Sequence, residues 1–513
     1  MDDFNKIEIV FNLCISVNDE ILGKEKEGTL NFLDHYVFQA TSYVLSIIHD
    51  KITVDRISYS RLFMYRCLIE CIAIISMYKE GDIPAESEEL LNEFNYIAEF
   101  NMYKKYREKL DGKQFYFEQI KSNFEDAKKK YRLSMSDKGS NEFNKIIKSK
   151  LPFLFNEYSF DDIIKAYCEP LYSFYRLISV VLHPSDMYLT YPTIQSEKFD
   201  ALENSLFILV MAILHDHYSE GKITKELKEE VTLIANSPIN NVYLNYATKQ
   251  KEILYKIADI IKEKCGECTE YYTYIEFGNY IESLAIDKTF GFSEIVKCKY
   301  KPYIELIAIS YYIATLPHFE DKRYFVELFT KHTRIKLMDI YGLDTSEKLN
   351  EAYEQYKSNV KNIHFDEFKK VFMTSLGFIP EQTSITKLVN DAIDGLIKND
   401  ETMNAHLKML YDEAQMLSHA NGYMISSNTG AFMEYSTVIA YCDQFVTLLL
   451  KFYQVSWDLY NKTEGKKHYS KFVYDLKKNI KDFEKAAFAK NKLDFDMKDY
   501  KMVYKWYNKN TNL

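Results

Sequence analysis

The sequence predicts an all-α protein made of two tandem, divergent helical bundles that pack as an intramolecular pseudo-dimer. Helix-breaking residues are scarce: 15 glycines and 9 prolines occur in 513 residues, together well below the roughly 12% of ordinary chains. Apolar residues recur at helical spacing in nearly every window. Aromatic residues make up 15% of the chain, mainly 43 tyrosines and 34 phenylalanines, which suits thick helix–helix interfaces and argues against disorder.

Two kinds of helix are predicted from the distribution of apolar residues. Segments that are apolar on most faces are typical of the buried helices of a bundle. They are 57–78, 171–183, 202–218, 303–316 and 432–453. Segments with an apolar stripe against a charged face are predicted as outer helices. They are 86–110, 114–131 and 478–492.

Four short similarities occur in the same order in both halves of the chain and indicate an internal duplication. Residues 40–45 resemble 308–313, and 87–93 resemble 346–351. Each half has an arginine four residues before a glutamate: Arg66 with Glu70, and Arg323 with Glu327. Each half then has a tyrosine eight residues before a histidine: Tyr175 before His183, and Tyr411 before His419. We therefore predict two copies of one helical unit, with cores at about 30–218 and 297–453.

The duplication divides the chain into three predicted parts. They are an N-terminal bundle at 1–240, a C-terminal bundle at 241–460 and a basic helical extension at 461–513. The loop-like composition of 236–241 marks the first boundary, and 461–467 marks the start of the extension. The region 219–296 is predicted to connect the two cores.

Charge and hydrophobicity limit the partners. The chain has 65 basic and 75 acidic residues and a net charge of −10, so a nucleic-acid partner would need a local basic patch. The longest apolar run, 206–214, has nine residues, whereas a spanning helix needs about 20, so we expect no membrane partner. Eight irregularly spaced cysteines and an amino terminus without a basic leader predict reduced thiols and a cytoplasmic location.

Arg176 and His183 are the candidate catalytic residues. Seven helical steps return to within about 20° of the same face, at a rise of about 10.5 Å, so both side chains can face one site. Pro184 places His183 at a helix end, where the helix dipole favours imidazolium. Such a histidine can act as an acid or a base near neutral pH. In the second half, Asp412 stands at the position of Arg176.

Two resemblances to known families rest on these residues. The string Tyr-Arg-Cys-Leu-Ile-Glu at 65–70 and the later Leu-His-Pro-Ser at 182–185 resemble an uncharacterised bacterial all-helical family with an Arg-x3-Glu helix and a His-Pro-Ser element. More loosely, Arg176-x6-His183 resembles the Arg-x4-6-His motif of the HEPN superfamily, helical bundles that often act as dimeric, metal-independent ribonucleases in toxin and anti-phage systems. Leu177 stands where HEPN proteins usually have a polar residue.

The HEPN resemblance implies a stress or anti-phage defence effector that cleaves or binds RNA and needs neither metal nor other cofactor. His183 would move a proton as an RNA 2′-hydroxyl attacks the adjacent phosphate, and Arg176 would stabilise the phosphorane charge. The residues that would orient His183 are Arg66, Glu70 and Tyr175. Their equivalents in the second half would be Arg323, Glu327, Tyr411 and His419, in a degenerate partner copy.

Other interpretations stay open. Arg66 and Glu70 also suit a buried structural ion pair, and Arg176 also suits an ordinary salt bridge. The alternative function is a non-catalytic helical scaffold or sensor that binds a protein partner or self-associates. Cys265 and Cys268 form a Cys-x2-Cys pair, and a structural zinc site would need two more ligands, for which Cys298 and His318 are the nearest candidates. The lysine-rich extension suits either RNA binding or a solvated amphipathic helix.

Overall fold

Every regular element in the described part of the chain is an α-helix, and no strand occurs there. The computed structural model describes residues 3–53, 59–83, 102–111, 159–182, 196–217, 238–266, 268–289, 299–316, 319–340, 342–358, 363–374, 384–418, 448–454 and 462–489, with a few single positions between them. The all-α prediction is confirmed for these residues. None of the described helices combines the length and apolarity needed to cross a bilayer.

The helices of the first half surround α3. They are α1 (Asp3–Glu27), α2 (Phe32–Thr53), α3 (Tyr59–Lys79), α4 (Phe160–Tyr167), α5 (Glu169–Leu182) and α6 (Ser196–His217). Helix α3 contacts α2, α4, α5 and α6 and is buried along most of its length. Helices α3, α5 and α6 correspond to the buried segments predicted at 57–78, 171–183 and 202–218.

The second half has a comparable central helix, α9. Its helices are α7 (Pro238–Cys265), α8 (Thr269–Thr289), α9 (Tyr300–Thr315), α10 (Phe319–Ile340), α11 (Ser346–Lys357), α12 (Phe365–Phe372), α13 (Ile385–Leu396) and α14 (Glu401–Leu417). Helix α15 (Lys462–Ala489) packs along α7. Residues 102–110 and 448–454 are also helical. Most of the predicted outer helices at 86–110 and 114–131 lie outside the described residues.

The same order of helix contacts occurs in both halves. In the first half α1 packs on α2, α2 on α3, and α3 on α4 and α5, which also contact each other. In the second half α7 packs on α8, α8 on α9, and α9 on α13 and α14, which also contact each other. Residues 238–289, predicted as part of a connecting region, therefore form two long packed helices.

Local sequence signals account for several helix ends. Gly28 after α1 and Gly266 after α7 have φ of 69° and 76°, the left-handed conformation that ends helices and favours glycine. Ser159 before α4 and Ser384 before α13 accept hydrogen bonds from backbone N–H groups of the first turn. Helix α7 begins at Pro238 within the loop predicted at 236–241, because proline suits the first helical turn.

A buried lysine joins the two halves. Lys299 Nζ donates to Ser283 Oγ of α8 at 2.9 Å and to Ser46 Oγ of α2 at 3.3 Å. Ser60 Oγ of α3 lies 3.3 Å from Ser283 Oγ. All four side chains are buried, and a buried ammonium is stable only when polar groups replace its hydration. Hydroxyl groups from both halves provide that replacement.

We expect Ser283→Ala to destabilise the protein, because it removes the shorter of the two hydroxyl contacts of a buried ammonium. The free energy of unfolding should fall by about 1–3 kcal/mol, measured by urea unfolding followed by circular dichroism. Ser470→Ala, an exposed serine of α15, is the control. Equal stabilities of the two variants would show that Lys299 does not depend on this contact.

Candidate functional site

Three of the predicted site residues come together in the first half. Arg66 Nε donates to Glu70 Oε1 at 3.3 Å within α3, and Tyr175 OH of α5 donates to the same oxygen at 3.0 Å. The side chains of Arg66 and Glu70 are 6% and 0% exposed. Burial alone would lower the pKa of Arg66, but Tyr175 and Glu70 hold it above its usual value. The pair is therefore intrahelical and buried, and Arg66 keeps its positive charge there.

A matching set lies in the second half. Tyr411 OH of α14 donates to Glu305 Oε1 of α9 at 3.0 Å, and Lys301 precedes Glu305 by one helical turn. Burial raises the pKa of Glu305, an effect that Lys301 and the Tyr411 hydrogen bond oppose. Burial also lowers the pKa of Lys301, whose Nζ donates to Ser418 Oγ at 3.3 Å. The order of cation, carboxylate and tyrosine repeats that of Arg66, Glu70 and Tyr175.

The two sets meet where the halves meet. The charge of Arg66 contributes to lowering the pKa values of both Lys301 and Glu305. Cys67 Sγ of α3 donates to the carbonyl oxygen of Ser418, at the end of α14, at 3.8 Å. Two basic and two acidic side chains thus form one junction, in which three are buried and Lys301 is partly buried. We call it the charge junction: Arg66, Glu70, Lys301 and Glu305.

The helices that supply the tyrosines lead toward the predicted histidines. Helix α5 ends at Leu182 and α14 at Leu417, and Ser418 is the last described residue after α14. His183 and His419 follow directly in the sequence and lie outside the described residues. Hydrogen bonds of Tyr175 and Tyr411 therefore tie to the charge junction the two helices that precede the candidate histidines in the sequence.

Arg176 does not point into the charge junction. One helical step of 100° separates it from buried Tyr175, and its side chain is 41% exposed. Its Nη2 lies 4.0 Å from Asp339 Oδ2 of α10 in the second half. A contact between such exposed charges contributes little to stability and leaves the guanidinium accessible to another anion.

Asp412, next to Tyr411, also contacts the other half. Its Oδ2 accepts from Tyr106 OH at 2.6 Å and from Lys105 Nζ at 2.5 Å. Burial and this carboxylate raise the pKa of Tyr106. The position after each buried tyrosine thus carries a charge that contacts the opposite half, positive at Arg176 and negative at Asp412.

The predicted second-half equivalents Arg323 and Glu327 lie elsewhere, on α10. Glu327 is exposed and accepts a hydrogen bond from Gln355 Nε2 of α11 at 3.3 Å. The structure does not bring Glu327 to Tyr411; Glu305 holds that place, with Lys301 before it. Arg323 is on the same helix, and its side chain is not among those that the structure describes.

A sequence signal for the second set was present. Residues 65–70 read Tyr-Arg-Cys-Leu-Ile-Glu, and 300–305 read Tyr-Lys-Pro-Tyr-Ile-Glu. The two strings do not match at the cation, because Lys301 stands where the first string has Arg66. With lysine and arginine taken as equivalent cations, the two strings pair α3 with α9.

The cysteine pair provides no described metal site. Cys265 and Cys268 are not in disulfide bonds; the first is exposed and the second partly buried. Burial raises the pKa of Cys268. Within the described residues, no group of three or more His, Cys, Asp or Glu side chains could hold a metal ion. Cys298 and His318 lie outside them.

Two buried histidines do not suit acid–base chemistry near neutral pH. Burial lowers the pKa of His332 to about 3 and that of His406 to about 4. His332 Nε2 lies 2.8 Å from the carbonyl oxygen of Thr374. Both imidazoles are therefore neutral at pH 7 and pack as buried side chains in the second half.

Comparison with known proteins adds no relative. No family model, no curated protein and no solved structure matches this chain. The family resemblances therefore rest on the sequence motifs alone.

We expect Glu70→Leu to lower the free energy of unfolding by about 3–5 kcal/mol, because it leaves the buried Arg66 guanidinium without its carboxylate. The triple variant Arg66→Met/Glu70→Leu/Tyr175→Phe replaces the whole set with apolar groups and should recover more than half of that loss. Urea unfolding at pH 7 measures both. A triple variant no more stable than Glu70→Leu would contradict this account.

The lowered pKa of His406 predicts a loss of stability in acid. The pKa of His406 is about 4 in the folded protein against an ordinary value of 6.5. Between these two pH values His406 is protonated in the unfolded chain but stays neutral in the folded protein. The contribution of neutral His406 to the free energy of unfolding is fully present above pH 6.5 and is lost as the pH drops toward 4. At pH 5 the loss is about 2 kcal/mol. His406→Leu should reduce the difference in unfolding free energy between pH 7 and pH 5 by that amount.

The exposed His364, changed to leucine, is the control for this pH experiment. It should leave the pH dependence as in the wild type. An unchanged pH dependence in His406→Leu would mean that His406 is solvated in the folded protein.

Proposed function

We propose that the chain is a HEPN-like bacterial stress or anti-phage defence effector that acts on RNA as a metal-independent ribonuclease. Its two halves would form an intramolecular pseudo-dimer of divergent helical bundles. The observation that carries the proposal is the charge junction: Tyr175 of α5 and Tyr411 of α14 each donate to one of its carboxyl groups, and each tyrosine precedes a candidate histidine, His183 or His419, by eight residues. In the HEPN resemblance, the catalytic motif belongs to such a dimer of bundles.

Several parallels support the pseudo-dimer. The order of helix contacts is the same in both halves, and a tyrosine donates to a buried glutamate in each. Buried polar residues also recur at equal spacing in two corresponding helices. They are Gln39, Ser42 and Ser46 in α2, and Glu276, Asn279 and Ser283 in α8. On this basis the second copy begins at α7 rather than at about 297.

The proposed chemistry needs a base, an acid and a group that stabilises negative charge. His183 would accept the proton of a 2′-hydroxyl as its oxygen attacks the adjacent phosphorus, and the same imidazolium would protonate the leaving 5′-oxygen. Arg176 would hold the phosphorane oxygens, with its half-exposed guanidinium released from Asp339. The products are a 2′,3′-cyclic phosphate and a 5′-hydroxyl end.

Glu70 and Tyr175 act as positioning residues in this scheme. The hydrogen bond between them fixes the rotation of α5 on α3, and Arg176 is the next residue along. In the second half Asp412 occupies the corresponding place and is held by Tyr106 and Lys105. A carboxylate repels phosphate, so the chain would contain one active site, formed by the first half.

The non-catalytic alternative also has an observation in its favour. Arg176 and Asp412 both contact the opposite half, as expected of residues that only hold a scaffold together. In that case the protein would bind a protein partner or self-associate, and loss of Arg176 would alter packing but no reaction.

We expect the purified protein to cleave total cellular RNA in the presence of EDTA. His183→Ala should reduce the rate about 10²- to 10⁴-fold, and Arg176→Ala about 10²- to 10³-fold, with folding of each variant checked by circular dichroism. The control is His364→Ala, which changes the exposed histidine immediately before α12. This variant should cleave RNA at the wild-type rate. Detection of 2′,3′-cyclic phosphate ends would identify the reaction.

Two outcomes would contradict the ribonuclease proposal. One is cleavage that persists in folded His183→Ala. The other is a wild-type protein that cleaves no RNA, either in vitro or when expressed in bacterial cells during phage infection. The second outcome would favour the scaffold.

A further inference from the structure

One face of α15 carries a straight row of exposed lysines. Intervals that alternate between four and three residues place side chains on one line along a helix. The residues at these intervals are Lys467, Lys471, Tyr474, Lys478, Lys481 and Lys485, all exposed. At 1.5 Å per residue the row is about 27 Å long. Tyr474, 66% exposed, lies near its middle.

The opposite face of α15 is fixed against the rest of the protein. Asn479 Nδ2 donates to the carbonyl oxygen of Tyr246 on α7 at 3.1 Å, and the Phe483 ring lies 4.9 Å from the Tyr246 ring. The Phe472 ring packs edge-on against Tyr453 at 5.5 Å. The helix therefore presents its lysines from a rigid support, and its apolar face is already buried.

The row concentrates positive charge on an acidic protein. Helix α15 contains eight lysines against four acidic residues, whereas the whole chain has a net charge of −10. Asp475 and Asp482 flank the row at partly buried positions. In the described part of the chain, the salt bridges of α15 involve Glu464, with Lys264 and His468, and not the lysines of the row.

We propose that this row binds the phosphate backbone of single-stranded RNA, with Tyr474 stacking on a base. Lysine ammonium groups contact phosphates without regard to sequence, and an exposed aromatic ring within a basic strip is typical of single-strand binding. An anionic membrane fits less well, because membrane-binding helices insert an apolar face and that of α15 is occupied. The choice of RNA rests on the proposed function, and the row would hold the substrate outside the catalytic pair.

The test measures binding of a fluorescently labelled 20-nucleotide 2′-O-methyl RNA, which cannot be cleaved through a 2′-hydroxyl, to the full-length chain. We expect the wild type to bind with an affinity that falls with salt, at a logarithmic slope of about −3.5 for five phosphate contacts. The variant K467Q/K471Q/K478Q/K481Q/K485Q should bind at least 30-fold more weakly and lose most of that slope. Tyr474→Ala should weaken binding about 5- to 100-fold and keep the slope.

The matched control changes five exposed lysines of the second half to glutamine. They are Lys249, Lys369, Lys370, Lys387 and Lys398. This variant has the same net charge as the row variant and should retain most of the wild-type affinity. If the five-lysine row variant fails to fold, Lys478→Gln/Lys481→Gln replaces it, with an expected loss of at least threefold and a smaller salt slope.

Three results would overturn the proposal: equal binding by the row and control variants, no RNA binding by the wild type, or row-dependent binding to phosphatidylserine vesicles in place of RNA. Row-dependent RNA binding by a protein that cleaves no RNA would uphold the proposal and refute the ribonuclease separately.

Discussion

The fold depends on one buried carboxyl group in each half, because each needs hydrogen-bond donors in place of water. Glu70 lies at the centre of α3 with its side chain buried, and it is stable there because Arg66 and Tyr175 donate to one of its oxygens. Tyr175 comes from α5, more than 100 residues later in the chain. The requirement to satisfy one charge therefore determines how two distant helices dock, and Glu305 with Tyr411 imposes the same docking on α9 and α14.

The charge junction also links the halves to each other. Arg66 and Lys301 come from different halves, and the charge of Arg66 contributes to lowering the pKa of Lys301. Like charges at close range in a medium of low polarity repel strongly, so the two carboxylates must accompany them. A change at any of the four charged groups therefore affects both halves, which makes the junction a natural place for the rotation of α5 and α14 to be fixed together.

Helices that are buried on most faces were predictable, because continuous apolar periodicity leaves few alternatives. This is why α3, α5, α6 and α9 fall where the sequence indicated. Helices α7 and α8 were assigned to a connecting region. Tyrosine, lysine and glutamate are mixed along both helices, so the sequence shows no clear apolar stripe that would mark the buried face. Arg66, Glu70 and Tyr175 were predicted as one group, but Lys301 and Glu305 were not. The contact of Arg176 with Asp339 could not be predicted, because it depends on the packing of α5 against α10.

The position of Lys299 has a consequence for how such a molecule can be assembled. Lys299 precedes Tyr300 as Met64 precedes Tyr65, and both side chains are buried. If the two halves are copies of one unit, as proposed above, two identical subunits would bury an ammonium group at both of these positions and carry the cost of desolvating a charge twice. A single chain avoids this by keeping a cation on one side and a thioether on the other. On the proposed duplication, the covalent connection thus permits the two halves to differ at a buried position, which identical subunits could not do.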